Sequence, residues 1–215
     1  MPFDLSFALS ILPDLLRGAV VTVEATLGGF LLALACGLVL AIARRTRLRA
    51  PALAYIEFMR DTPLLVQIYF IFYVLPFFGL TLGAMACGVL ALGLNYSAYI
   101  AEVYRAGIES VPQGQWEAAR ALGLPAWPTW TRVILPQAVR PILPVLGNYL
   151  IGMFKDTPLL ATITVPEMFN AAMQVAGTTY RYNEPYTLVA LIFLAMSYPA
   201  SLLVRRLERP RRAAR

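Results

Sequence analysis

Two short segments set a cation, an acid, a hydroxyl and a proline side by side within apolar sequence. They are Arg60-Asp61-Thr62-Pro63-Leu64-Leu65 and Lys155-Asp156-Thr157-Pro158-Leu159-Leu160. Each proline withholds an N–H from the carbonyl four residues earlier, Met59 and Phe154 respectively. In a bilayer such a carbonyl persists only where side chains, neighbouring protein or a water-filled cavity satisfy it. Thr62 and Thr157 are placed to help, and a freed carbonyl is also a receptor for an ammonium group. Asp156 and Lys155 would each cost about 3 kcal/mol facing lipid at a helix centre. Adjacent residues do not face one another along a helix, so the two need not pair. Asp156 therefore either lines a polar path near the midplane or ties helices together. Asp61 either shares that depth or lies at the cytoplasmic interface. Gln67 stands one turn beyond Pro63, and Tyr96, Tyr99 and Glu102 share a helical face that lines a cavity or forms a hydrogen-bonded seam. The candidate path is thus Asp61, Thr62, Gln67, Tyr99, Lys155, Asp156 and Thr157.

A second polar stretch lies between apolar segments: Glu117-Ala118-Ala119-Arg120-Ala121-Leu122-Gly123, then Pro125, Pro128 and Val133-Ile134-Leu135-Pro136. Its first half reads as a short helix in which Trp116, Ala119, Arg120 and Leu122 share a face. Gly123 is a natural stop, and Pro125 cannot continue the helix. So short a helix is unstable alone in water and must dock, either on this chain or on a cytosolic protein.

The elements that position these residues follow from composition. The 215 residues are 59% hydrophobic and 14% charged, with mean hydropathy +0.66. That is too apolar for a soluble domain of this length. The net charge of +6 does not indicate nucleic-acid binding, because the arginines cluster between apolar runs. Segments of roughly 20 apolar residues span a bilayer, which predicts spans at 18–43, 63–79, 82–104, 138–163 and 185–204. The sequence therefore reads as one all-α transmembrane domain over 1–215, with a cytoplasmic loop at 105–137.

Arg44, Arg45, Arg47, Arg49 and Arg60 follow the first span, and Arg105, Arg120, Arg132 and Arg140 the third. Arg205, Arg206, Arg209, Arg211, Arg212 and Arg215 follow the last, a tail at 205–215 read as an anchor beside anionic lipid. By the positive-inside rule the N-terminus is outside and the C-terminus cytoplasmic. Both hexads then run outward from the cytoplasm, a parallel echo. Glu24 reads as interfacial, near the outer end of the first span. The outer segment 164–184, with Pro166, Met168, Phe169, Met173 and Tyr180, reads as a short interfacial helix and loop. Cys36 and Cys87 fall inside spans as small apolar fillers. With no histidine and no ligand cluster, neither a metal site nor a hydrolase is indicated.

Glu117-Ala118-Ala119, Gly123, Val133 and Leu135-Pro136 resemble the EAA pattern of bacterial ABC importer permeases. Gly107-Ile108, Gly114-Gln115, Ala98-Tyr99-Ile100-Ala101-Glu102 and the two hexads resemble its polar amino acid branch, the histidine, glutamine and arginine type. Asp61 departs from the branch's usual Arg-Gly-Thr-Pro by replacing the glycine. The resemblance covers about Leu15 to Arg205. It implies a type I ABC importer permease fold of five transmembrane helices with a cytoplasmic coupling helix. In that reading Glu117 faces an ATPase groove, Ala118 and Ala119 permit close approach, Gly123 sets the turn, and Leu135 and Pro136 complete the motif.

The implied partners are an ABC ATPase dimer, a second permease in a homo- or heterodimer, a periplasmic or lipid-anchored solute-binding protein and membrane lipid, but no nucleic acid. The implied location is the bacterial inner membrane. ATP and magnesium would sit on the ATPase, since this chain has no Gly-x-x-x-x-Gly-Lys-Ser/Thr loop. The implied cargo is an amino acid or similar small zwitterion, moved without enzymatic turnover by this chain. The rival classes are a proton-coupled secondary transporter and a membrane scaffold protein.

Overall fold

The computed structural model describes residues 3–208; Arg209, Arg211, Arg212 and Arg215 of the basic tail lie outside the described residues. No strand occurs among the described residues. Helix α1 (Leu5–Ala43) starts where the Asp4 carboxylate accepts the N–H groups of Ser6 at 3.0 Å and Phe7 at 3.2 Å. The Ser6 hydroxyl and the Phe7 N–H hold that carboxyl below the usual carboxylate range. At 39 residues α1 is about 58 Å long, so it begins well before the predicted start at residue 18. Its buried stripe is small: Gly18, Thr22, Ala25, Gly29, Ala33, Gly37 and Ala41. Small residues let helix backbones approach closely in a membrane. At Gly37 a Cβ would stand 2.8 Å from Ile100 Cγ2 of α4 (Ala84–Glu109), so no larger side chain fits that crossing.

Helix α2 (Arg49–Asp61) runs back antiparallel to α4, burying Ile56 against Ala98 and Ala101. The Tyr55 hydroxyl donates to the Leu94 carbonyl at 3.0 Å. Thr62 is extended (φ −105°, ψ 137°), and Pro63 opens α3 (Leu64–Tyr69). That helix continues through a π turn (Phe70–Val74) and a 3-10 turn (Leu75–Phe78). A residue before proline is pushed out of the α region, and proline supplies no N–H to bridge the break. The axis consequently bends by 105° between Arg49–Asp61 and Leu64–Phe78. The predicted span 63–79 is one arm of this broken helix, and the arm at Arg49–Asp61 was not anticipated.

Beyond α4 come α5 (Gln113–Ala121) and α6 (Ala126–Pro128), then a π segment (Thr129–Ile134) leading into α7 (Leu135–Asp156). At the second hexad Thr157 stays in the α region (φ −57°, ψ −29°), and the helix tightens into a 3-10 segment (Thr157–Ile163) instead of breaking. Two prolines in matching hexads thus do different things: one ends a helix and the other narrows it. Both α2 and α7 run antiparallel to α4, so the echo is parallel, as the sequence indicates. Helices α8 (Met168–Thr179) and α9 (Asn183–Glu208) complete the fold.

Helices α1, α4 and α9 are each long and apolar enough to cross a membrane, and the bent α2–α3 pair is together apolar enough to form a broken span or a re-entrant loop. Helix α7, the expected span at 138–163, is 22 residues or about 33 Å long and does not stand out by hydropathy as the others do. It carries Arg140, Pro141, Pro144 and Asn148, and it is wedged against α4, α9 and α1. Glu24 is exposed midway along α1. Charge collects at the two ends of the bundle. Arg181 pairs with Asp4 at 3.3 Å and Glu184 at 3.0 Å where α1 and α9 begin. At the far end of α1, Arg44 and Arg105 both pair with Glu102.

Candidate functional site

The first hexad breaks beside the point where the second ends. Between them, with α4 behind, lies an open cleft of about 790 Å³. Arg60, Asp61 and Thr62 form one wall; Asn95, Tyr96 and Tyr99 come from α4; Asn148, Tyr149, Gly152 and Asp156 come from α7. The α7 residues recur at helical spacing, so a single helix face carries the whole wall. The Tyr96 hydroxyl donates to Asp156 Oδ2 at 2.7 Å. Tyr149 packs edge-on to Tyr96 with centroids 6.1 Å apart and lies 5.8 Å from Tyr99. The Arg60 guanidinium sits 5.6 Å from the Tyr99 ring centre. Charged groups of both signs and three aromatic faces therefore meet in one recess.

Five sequence-predicted path residues divide from two others at this point, and one of the five does not reach the cleft. Asp61, Thr62, Tyr99 and Asp156 line it. Gln67 is buried behind it, where its Nε2 donates to the Met59 carbonyl at 3.0 Å and to Thr62 Oγ1 at 2.7 Å. Asn95 Nδ2 donates to the same Met59 carbonyl at 3.0 Å. The carbonyl freed by Pro63 is thus taken by two amide side chains and is not open to a solute's ammonium. Thr157 is fully buried, its hydroxyl donating to Phe154 O at 2.7 Å, so it satisfies the carbonyl freed by Pro158. Lys155 is exposed and is not among the residues lining the cleft. Adjacent helix positions point apart, which removes Lys155 from the wall that holds Asp156.

Below the cleft a second recess of about 360 Å³ is lined by Glu102, Arg105, Ser110 and Pro141. It shares Arg60, Tyr99, Val145 and Tyr149 with the first. The helical face of Tyr96, Tyr99 and Glu102 therefore serves two cavities in succession, with the Tyr99–Tyr149 pair between them.

The polar segment 113–136 folds at the Glu102 end. Helix α5 closes with a Schellman motif: Gly123 N–H donates to Arg120 O at 2.9 Å and Leu124 N–H to Ala119 O at 3.0 Å. Gly123 has φ +65°, a left-handed conformation that glycine adopts at little cost. Glu117, Ala118, Arg120 and Leu122 are exposed, whereas Ala119 is 2% exposed and faces the chain's own fold. Trp116 packs edge-on to Trp130 at 5.2 Å. The expected single face is thus split: Trp116 and Ala119 dock inward, and Arg120 and Leu122 point out. Ala119 has no free surface to offer a partner. Leu122 and Trp127, each 77% exposed, add a large apolar edge. Leu135 and Pro136 are exposed at the start of α7.

Sequence reasoning missed Arg60, Asn148, Tyr149 and Gly152 as cleft residues. The signal for the last three is the run Val145, Asn148/Tyr149, Gly152, Asp156 at intervals of three and four along one face of α7.

Residues 11–213 match the family described as binding-protein-dependent transport system inner membrane component. A probable amino-acid ABC transporter permease of Sinorhizobium fredii is 49% identical over 94% of this chain and 89% of its own length. The glutamine transport system permease of Escherichia coli is 36% identical over 97% of this chain and 98% of its own. A crystal structure of an amino acid ABC transporter with histidines superposes with a TM-score of 0.91 at 37% identity, covering 97% of this chain and 99% of that one.

Proposed function

The chain belongs to the binding-protein-dependent transport inner membrane components and is a permease subunit of an ABC transporter, and from that premise we propose that it imports a polar amino acid or similar small zwitterion. An external binding protein, periplasmic or lipid-anchored, hands the solute to the cleft. Its ammonium group is received by Asp156 and its carboxylate by Arg60. A separate ATPase dimer holds ATP and magnesium and grips the exposed face of α5 around Glu117 and Ala118. Nucleotide-driven closure of that dimer rocks this chain and a second permease, a copy or a paralogue, between outward- and inward-open states. The solute then passes the Tyr99–Tyr149 pair into the lower recess. In this reading the N-terminus is outside the inner membrane and the C-terminus cytoplasmic.

The observation that carries the reading is the meeting of both hexads in one polar cleft: Asp61 and Asp156 reach the same recess from separate helices. The test is ATP-dependent uptake of labelled amino acids into proteoliposomes by the complex purified from native membranes. Asp156→Asn keeps an oxygen to accept the Tyr96 hydroxyl but removes the charge, so the helix tie survives while the ion pair with substrate does not. Uptake should fall by about tenfold or more, the value of one lost charge contact. A variant importing at the wild-type rate would make Asp156 a structural tie. Uptake that ignored ATP and collapsed with the proton gradient would instead favour a secondary transporter.

A further inference from the structure

The charges of the cleft do not balance a simple zwitterion. Of its lining residues Arg60 is the one cation, against the two acids Asp61 and Asp156. A neutral amino acid has one carboxylate for Arg60 and one ammonium for one of the acids. The remaining carboxylate would stay without a counter-charge in a recess that closes as transport proceeds, and an unpaired charge removed from water is costly. Among the described residues Asp61 makes no ion pair of its own. The three tyrosines add to the imbalance, since aromatic faces attract cations, and Tyr99 already holds the Arg60 guanidinium.

We infer that Asp61 is a specificity-determining residue, selecting solutes that carry a second cationic centre, a guanidinium or ammonium on the side chain of an amino acid. This rests on the reading of the cleft as the transport site. Asp61 and Asp156 stand on different walls, one at the end of α2 and the other at the end of α7. An elongated solute with cations at both ends meets one acid with each, and its carboxylate meets Arg60. Asp61 is exposed in the open cleft, so its contribution is that of a partly solvated pair, not a buried one.

The experiment is equilibrium binding of L-arginine and of L-citrulline, its neutral near-isostere, to the purified permease–ATPase complex without binding protein. The wild-type complex should bind arginine about tenfold or more tightly than citrulline, as one charge pair in partly solvated surroundings implies. Asp61→Asn should bring the two affinities together, weakening arginine and relieving citrulline of an unpaired carboxylate, and Asp61→Glu should restore the preference. Citrulline binding by Asp61→Asn at or above the wild-type affinity shows that the cleft is intact. Equal affinities in the wild type, or a preference that survives Asp61→Asn, would overturn the inference and leave the transport reading standing. Failure of both solutes to bind any variant would overturn the cleft as the solute site, and the inference with it.

Discussion

Met59 loses the helical partner that Pro63 cannot supply, and two amides replace it: Gln67 Nε2 and Asn95 Nδ2, each at 3.0 Å. Asn95 Nδ2 also donates to Gln67 Oε1 at 3.2 Å, so the two amides hold each other as well as the carbonyl. The break that presents Asp61 and Thr62 to the cleft is thereby fixed by side chains from two elements. Either amide alone still covers the Met59 oxygen, whereas removing both leaves it bare in the membrane interior. Gln67→Leu and Asn95→Leu should each destabilise the chain by about 1 kcal/mol. The double variant should exceed their sum by a further 1–2 kcal/mol or so, because only then is the buried carbonyl orphaned. Detergent-denaturant titration of the four chains measures the cycle; strict additivity would mean that water already serves the carbonyl.

At the scale of elements, Gly123 tests whether the ending of α5 matters to its partner. A Cβ at Gly123 would meet nothing within 4 Å, so crowding is excluded and only the positive φ opposes substitution. Gly123→Val should therefore cost about 1–2 kcal/mol by conformation alone, loosening the Schellman turn and reducing recovery of the ATPase with the tagged chain. Undiminished recovery would show that the partner grips residues nearer Glu117. The stop at Gly123 was legible because glycine readily takes the left-handed end of a helix and Pro125, two residues on, cannot continue it, and the apolar crossings were legible from length and hydropathy. Three features were not. Helix α2 mixes Arg49, Glu57, Arg60 and Asp61 with apolar residues, so hydropathy could not include it in a span. The contrast between the hexads depends on what packs against Thr62 and Thr157, which identical local sequence does not encode. The burial of Ala119, and the packing of Trp116 against Trp130 across the loop, depend on contacts distant in sequence. The cleft was half legible for the same reason: Asp156 and Tyr99 advertise themselves as polar groups among apolar ones, while Asn148, Tyr149 and Gly152 matter only through the helix face they share.

Across the whole molecule, α7 joins the α5 segment, which packs at its start, to the cleft wall, which runs from Val145 to Asp156 along its second half. Gln137 at its start donates to Gln115 of α5 at 3.2 Å, and Ile134 is buried beside Val111. Its other end carries Asp156. The facing wall of the cleft hangs on α2, which packs on α4, and α4 is locked to α1 along the small-residue stripe. In the proposed mechanism a push on α5 moves one wall relative to the other. Helices α4 and α7 approach closely at Gly107, where a Cβ would stand 2.5 Å from Ile142 Cγ2 and 2.8 Å from Ala138 O. Trp130 joins this lever to the rest: Trp116 packs on its ring, and the Arg45 guanidinium, just beyond α1, lies 5.7 Å from it. An aromatic pair and a cation–π contact together contribute about 1–2 kcal/mol. Trp130→Ala leaves Glu117 and Ala118 on the surface, so the ATPase should still co-purify and hydrolyse ATP. The solute carried per ATP should fall by about fivefold or more, since 1–2 kcal/mol shifts a two-state population by that factor. An unchanged transport-to-hydrolysis ratio would place the lever elsewhere. Loss of the ATPase from the complex would reduce Trp130 to a support for α5.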